Sequence, residues 1–175
     1  MTSPAKTTLS LSLGLLLAST VAVRAEVVTT TFVIVRHTEK AEEPKGDPVL
    51  SDDGAQRARK LARMLSSAEV SALYACADHQ RTALTLGPLS ESGLAINKPS
   101  DADLVASIDD LVERHRGGLV VIASHSNVVP ALVRQLSGID VGEIDESEYD
   151  DLFVLSKSGN RPASLLRLKY GRTTD

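Results

Sequence analysis

The 175-residue chain holds one cysteine, Cys76, and no tryptophan. A single thiol excludes an intramolecular disulfide, so the fold must rest on its own core, and the length suits one domain with a sizeable core. Aromatic residues make up 3% of the sequence, two phenylalanines and three tyrosines. The apolar content is therefore aliphatic, which fits an α/β core of valine, leucine and alanine. Internal repeats and low-complexity tracts are missing. Positive charge is in deficit, with 19 lysines and arginines against 23 acids. Such a balance excludes general nucleic-acid binding as a good expectation.

One long uncharged run is present, at the start. Lys6 gives a short positive region, Thr7 to Val23 carries no charge, and Val23-Arg24-Ala25 ends it with small or short residues at the recognition positions. This is a secretory signal pattern, with cleavage expected after Ala25. The alternative is an uncleaved anchor, since the run is near the lower length for spanning a bilayer. No cysteine stands directly after the cut, where Glu26 lies, which argues against a lipoprotein. The expected division is a signal peptide at 1–25 and one domain at 26–175. It implies an exported protein, periplasmic or secreted, free of the membrane after cleavage. Losing Lys6 and Arg24 leaves 17 basic residues against 23 acidic, a formal charge of −6. Positive charge must then be local, at Arg36, Lys40 and Arg81.

The domain is organised around Phe32-Val33-Ile34-Val35-Arg36-His37-Thr38-Glu39. The apolar, mostly β-branched run reads as a buried strand that ends abruptly in Arg-His. Ligands sit at the carboxyl ends of strands in open α/β sheets. Gly118 to Ala123 repeats the construction and delivers Ser124-His125-Ser126-Asn127. Two histidines released from strand ends suggest one shared site. Between them, Ser71 to Ala75 reads as a third strand. A helix over 78–86 follows, carrying Arg81 in its first turn and stopped by Gly87-Pro88.

The remaining chain is consistent with alternating strands and helices. The stretch 41–50 is a loop, either a rim over the site or a solvated connection. Ser51 is an N-cap with Asp52 and Asp53 in the first turn of an amphipathic helix ending near Ser66. The basic residues of that helix, Arg57 included, read as a solvated face. Gly93 to Pro99 is a weak strand or loop. Ser100 starts one helix whose core stripe is Leu104, Ile108, Leu111 and Val112. His115 at its end reads as an exposed histidine favoured by the helix dipole. Val128 to Leu136 is a helix with Pro130 in its first turn. The acidic stretch 140–151 leads into strands at 152–155 and 164–170, joined as a hairpin.

At these residues a resemblance becomes specific. Arg36-His37-Thr38-Glu39 resembles the Arg-His-Gly/Ala-Glu signature of the histidine phosphatase superfamily. Arg81-Thr82 is similar to the Arg-Thr after its second strand, Ala123-Ser124-His125-Ser126-Asn127 to its second-histidine motif, and Leu50-Ser51-Asp52-Asp53-Gly54 to its Leu-Ser-x-x-Gly helix start. Order and spacing agree from about Thr30 to the C-terminus. The resemblance implies a three-layer α/β/α sandwich, phosphoglycerate mutase-like, with a mostly parallel sheet and here a C-terminal hairpin. It also implies that His37 becomes phosphorylated and that water then releases phosphate, with no metal or other cofactor. The substrate would be a phosphorylated small molecule or a phosphoprotein.

The residue types suit that chemistry. A neutral imidazole can attack a phosphate dianion without charge repulsion. Arg36 and Arg81 offer planar, permanently charged donors matched to phosphate oxygens, and His125 can add a third. Read alone, Arg36 is a salt-bridged edge residue and His37 a satisfied buried histidine. The matching second histidine and Arg81 weigh against that. Glu39 is a candidate for orienting His37 or capping a backbone N–H. His79 is a weaker candidate, because helix geometry sets it off the face of Arg81. A proton donor for the leaving group is not evident. Larger family members place a glutamate between Arg81 and the last helix before His125. Asp101 and Asp103 are the nearest carboxylates here, though they read better as a cap and a first-turn acid. Ser126 stands where the second-histidine acid phosphatases carry aspartate. The chain resembles the short members that act without a dedicated acid, including protein phosphohistidine phosphatases. Two other readings are kept: a non-catalytic phosphoryl-binding or regulatory protein, and a metal site of His37, His125 and a carboxylate, which Arg36 and Arg81 would oppose. Mutase activity is disfavoured, since no long insertions are there to hold a second phosphate.

Overall fold

A computed structural model describes residues 27–174. The expected signal segment, with its cleavage point, lies outside the described residues. The element order is β1 Thr29–Arg36, α1 Asp52–Met64, β2 Val70–Ala75, α2 Gln80–Ser90, β3 Ile96–Asn97, α3 Asp101–Ala106, α4 Ile108–Arg114, β4 Leu119–Ser124, α5 Val129–Ser137, β5 Asp151–Ser158 and β6 Ser164–Lys169.

These strands form one sheet in the order β3-β2-β4-β1-β5-β6. The four strands β3, β2, β4 and β1 run parallel, and β5 and β6 close the other side as an antiparallel hairpin. Strand alternation divides the core between two faces. Phe32 and Ile34 of β1 join the cluster under α3, α4 and α5, with Leu104, Ile108, Leu132 and Leu136. Val33 and Val35 join the opposite cluster with Leu61 of α1 and Leu86 and Leu89 of α2. The result is the three-layer α/β/α sandwich. Each fully buried large aliphatic contributes about 1.5–3 kcal/mol, so a core without tryptophan is ample.

Three expectations need correcting. Helix α2 does not stop at Gly87-Pro88; it runs to Ser90 with Pro88 inside. Proline removes one N–H from the ladder, but Leu86 and Leu89 on either side are buried and hold the last turn against the sheet. The single helix expected after Ser100 is two, broken at Ser107, whose N–H bonds back to Asp103. The core stripe survives the break, since Leu104, Ile108, Leu111 and Val112 are all buried. His115 is not left to solvent, because its Nε2 lies 2.9 Å from the Tyr74 hydroxyl. Burial and then Arg114 lower its pKa, against the direction a helix dipole alone would give.

Candidate active site

The register of β1 on β4 builds the site. Arg36 pairs with Ser124, and the His37 N–H donates to the Ser124 carbonyl at 2.8 Å. The two strand-end histidines therefore leave the sheet side by side, ring centroids 5.4 Å apart and edge to face. Strand β2 lies against the other side of β4, with the Cys76 N–H on the Ala123 carbonyl at 3.2 Å. Its exit turn carries Asp78, His79 and Arg81 to the same edge.

His37 is 3% exposed. Its Nδ1 lies 2.8 Å from the Thr38 carbonyl, so Nδ1 holds the proton and donates. The lone pair is left on Nε2, which accepts from Arg81 Nε at 3.0 Å. Burial, opposed by the Thr38 bond and reinforced by Arg81, Arg36 and His125, pushes the His37 pKa down to about 3. Burial also lowers the pKa of His125, with Asp101 opposing it. Both rings are neutral at neutral pH.

Arg36 is 4% exposed, and its Nη1 donates to the carbonyls of Asp145 and Glu148 at 2.7 and 3.0 Å. Its guanidinium stacks on Tyr149, 4.2 Å from the ring centroid. The acidic stretch thus anchors Arg36 through backbone carbonyls and an aromatic face. Arg36 Nε and His125 Nε2 are buried with no hydrogen-bond partner among the described residues. Buried orphan donors or acceptors are costly, so they mark where a ligand is expected.

These groups line a cavity of about 300 Å³ with Lys40, Asp78, His79, Asp101, Ser126, Asn127 and Glu146. Of the expected residues, the structure brings together Arg36, His37, Arg81, His125, His79 and Asp101. His79 enters because it is not helical: it is the N-cap of α2 with extended backbone, φ −144° and ψ 139°, so helical spacing does not govern it. Its ring meets His125 edge to face at 5.2 Å. Asp101 accepts the Ser124 hydroxyl at 3.2 Å. Asp103 stays outside in a local cap, bonded through Oδ2 and N–H to Ser100.

Glu39 also stays outside. Its carboxylate takes Nε and Nη2 of Arg57 at 2.6–3.0 Å, and neither orients His37 nor caps a backbone N–H. Arg57 is 2% exposed and also donates to the Tyr170 and Arg172 carbonyls, which corrects the reading of it as a solvated cation. Spacing on α1 could not reveal this, because the partners lie in the C-terminal strand exit. The Ser-x-x-Gly start has its reason here. Ser51 N–H donates to the Glu39 carbonyl at 2.9 Å, and a Cβ on Gly54 would collide with that same carbonyl. Loop 41–50 does form a rim: Asp47 accepts from the Gln80 N–H at 3.0 Å and lies 4.0 Å from Arg81 Nη1. Thr38 is buried, its N–H on Thr85 Oγ1 at 3.0 Å, which ties the His37 loop to the helix of Arg81. Asp47, Thr85 and Tyr149 were not foreseeable from motif spacing.

For a metal, one group converges among the described residues. Donor atoms of Cys76, Asp101 and His125 all lie within 4.8 Å of one another. His37, expected in the metal alternative, is not among them.

Residues 32–104 match the model of the histidine phosphatase superfamily (branch 1). That stretch takes in Arg36, His37, Arg81 and Asp101 and ends before His125. No curated protein matches the sequence. Solved structures do match in fold. The protein histidine phosphatase SixA, complexed with tungstate, aligns with a TM-score of 0.63 at 16% identity, over 79% of this chain and 96% of that one. A mycobacterial structure named hydrolase 2 aligns at 0.59 and 16% identity, over 85% and 93%. A mycobacterial glucosyl-3-phosphoglycerate phosphatase aligns at 0.57 and 16%, over 78% and 100%. At such identities the structural likeness is one of fold. Over residues 32–104 the chain is thus similar to the histidine phosphatase superfamily (branch 1), and its fold is shared with solved phosphatases.

Proposed function

We propose that the protein hydrolyses phosphate monoesters or phosphohistidine through a covalent phosphohistidine on His37. Similarity to the histidine phosphatase family over residues 32–104, with the shared fold, supports hydrolysis of the histidine phosphatase type in general. The observation that carries the finer reading is the state of His37. Its proton is fixed on Nδ1 by the Thr38 carbonyl, and its lone pair on Nε2 opens toward Arg81. A phosphate dianion entering the cavity takes over the Arg81 donor and fills the orphan positions at Arg36 and His125. Nε2 then attacks phosphorus, the N–P bond forms, and the ester P–O bond breaks with its electron pair on the leaving oxygen. Arg36, Arg81 and His125 balance the charge on the equatorial oxygens. Water next attacks phosphorus, the N–P bond breaks, and its electron pair returns to Nε2 as phosphate leaves. A phosphorylated small molecule or a phosphoprotein with a good leaving group fits a site without an assigned acid.

The test is turnover of an aryl phosphate. His37→Ala should lose at least about 10³-fold, and His125→Ala should also be severe. Tight phosphate binding without turnover in the unaltered protein would mark a phosphoryl-binding module instead.

A further inference from the structure

We propose that Cys76, Asp101 and His125 form an inhibitory site for a thiophilic divalent cation, zinc(II) being the fitting ion. The site rests on the reading of His125 as a phosphate-binding residue for its consequence, though not for its existence. Thiolate, carboxylate and imidazole together are a donor set suited to zinc. The three donor atoms lie within 4.8 Å of one another, from the exits of β2 and β4 and the first turn of α3. Tetrahedral zinc with ligand bonds of 2.0–2.3 Å needs donors about 3.5 Å apart, so side-chain shifts of about 1 Å close it. A water or a substrate oxygen completes the shell.

A second observation points to a ligand. His125 is 8% exposed, and its Nε2 is buried with no hydrogen-bond partner. Cys76 is 1% exposed and its thiol meets Asp78 Oδ2 at 3.6 Å, a weak contact. Zinc would displace only a weak contact of the thiol, and His125 Nε2 has no partner among the described residues to lose.

Charge decides whether a cation can sit beside Arg81. The Cys76 thiol carries a proton that a bound zinc displaces. Binding forms a Zn–S bond and releases that proton to solvent. Thiolate and Asp101 then offset the two charges of zinc, and the carboxylate of Asp47 lies 4.0 Å from Arg81 Nη1. Proton release makes affinity rise with pH. Zinc on His125 withdraws that ring from the phosphate, so the metal inhibits rather than assists.

The test uses the purified full chain after chelator treatment, with Zn²⁺ and Co²⁺ as probes. The stripped protein should hydrolyse an aryl phosphate, Zn²⁺ should inhibit at about one equivalent, and chelator should restore the rate. Cys76→Ala and Cys76→Ser should keep the basal rate and weaken inhibition by about a hundredfold or more, since even outer-shell partners are worth about 10- to 100-fold in affinity. Co²⁺ should give a thiolate-to-cobalt charge-transfer band in the unaltered protein and none in either variant. This spectrum stands even if the protein lacks phosphatase activity, so the two readings fail separately. Zinc inhibition that persists unchanged in both Cys76 variants would overturn the site, placing the ion on the histidines alone. Absence of the charge-transfer band in the unaltered protein would overturn it as well.

Discussion

His37 carries two hydrogen bonds that between them select its tautomer. The Thr38 carbonyl takes the proton at Nδ1, and Arg81 meets the lone pair at Nε2. The same neighbourhood separates two aspartates that the sequence could not tell apart. Asp101 lines the cavity and holds the Ser124 hydroxyl, whereas Asp103 completes a cap with Ser100. Asp103→Asn should leave turnover unchanged. Asp101→Asn should lower turnover of alkyl phosphates by less than about tenfold, since a general acid contributes about 10²–10⁴-fold. Steady-state rates on paired aryl and alkyl substrates check this. A hundredfold loss confined to the alkyl substrate would identify Asp101 as the proton donor.

At the scale of elements, the site is held by contacts between segments far apart in sequence. Glu39 follows the histidine loop, Arg57 sits on α1, and the Tyr170 and Arg172 carbonyls come from the exit of β6. Removing one charge of a buried pair costs about 3–5 kcal/mol. Glu39 is 17% exposed and Arg57 keeps its carbonyls, so Glu39→Gln should cost about 3 kcal/mol. Urea unfolding measures that cost, and turnover per folded molecule should stay within about threefold. A collapse of turnover in protein that remains folded would make Glu39 part of the chemistry.

The strands, the two strand-end histidines and Arg81 were legible because each announces itself locally, as an apolar run cut short by polar residues. The register that seats His37 beside His125 was not, for it depends on β1 pairing with β4 across more than eighty residues. Helix ends were misread where tertiary burial outweighed local signals, as at Pro88 and Ser107. Arg57 looked solvated because its partners are remote. His79 looked misdirected because a helix was assumed to include it. Asp47, Thr85 and Tyr149 carry no motif; only the fold gives them a neighbour.

For the whole molecule, the buried imidazoles set the acid sensitivity. His37 has its pKa lowered to about 3 in the fold against an ordinary 6.5. The unfolded chain binds its proton first, so this contribution is full above pH 6.5 and is lost as pH falls below it. By pH 5 the loss from His37 alone is about 2 kcal/mol. His125 and His115 are lowered also and act in the same sense. Against the opposing effect of burial, Lys169 and Thr174 hold Asp150, and Arg167 and Lys169 hold Asp151, below the ordinary carboxylate value, so their contribution persists until pH falls lower still. Urea unfolding at pH 7 and pH 5 should show a loss of about 2 kcal/mol or more, and His37→Asn should recover about 2 kcal/mol of it. Equal stability at the two pH values would mean that His37 titrates as an ordinary imidazole.

The central claim is that His37 takes the phosphoryl group. The direct measurement is rapid acid-free quench of the enzyme turning over an aryl phosphate, under denaturing alkaline conditions that preserve phosphohistidine, followed by peptide mass spectrometry. The account predicts a base-stable, acid-labile phosphoryl adduct on His37 that forms and decays at rates compatible with turnover. An adduct on His125, or none at any time while product accumulates, would contradict it.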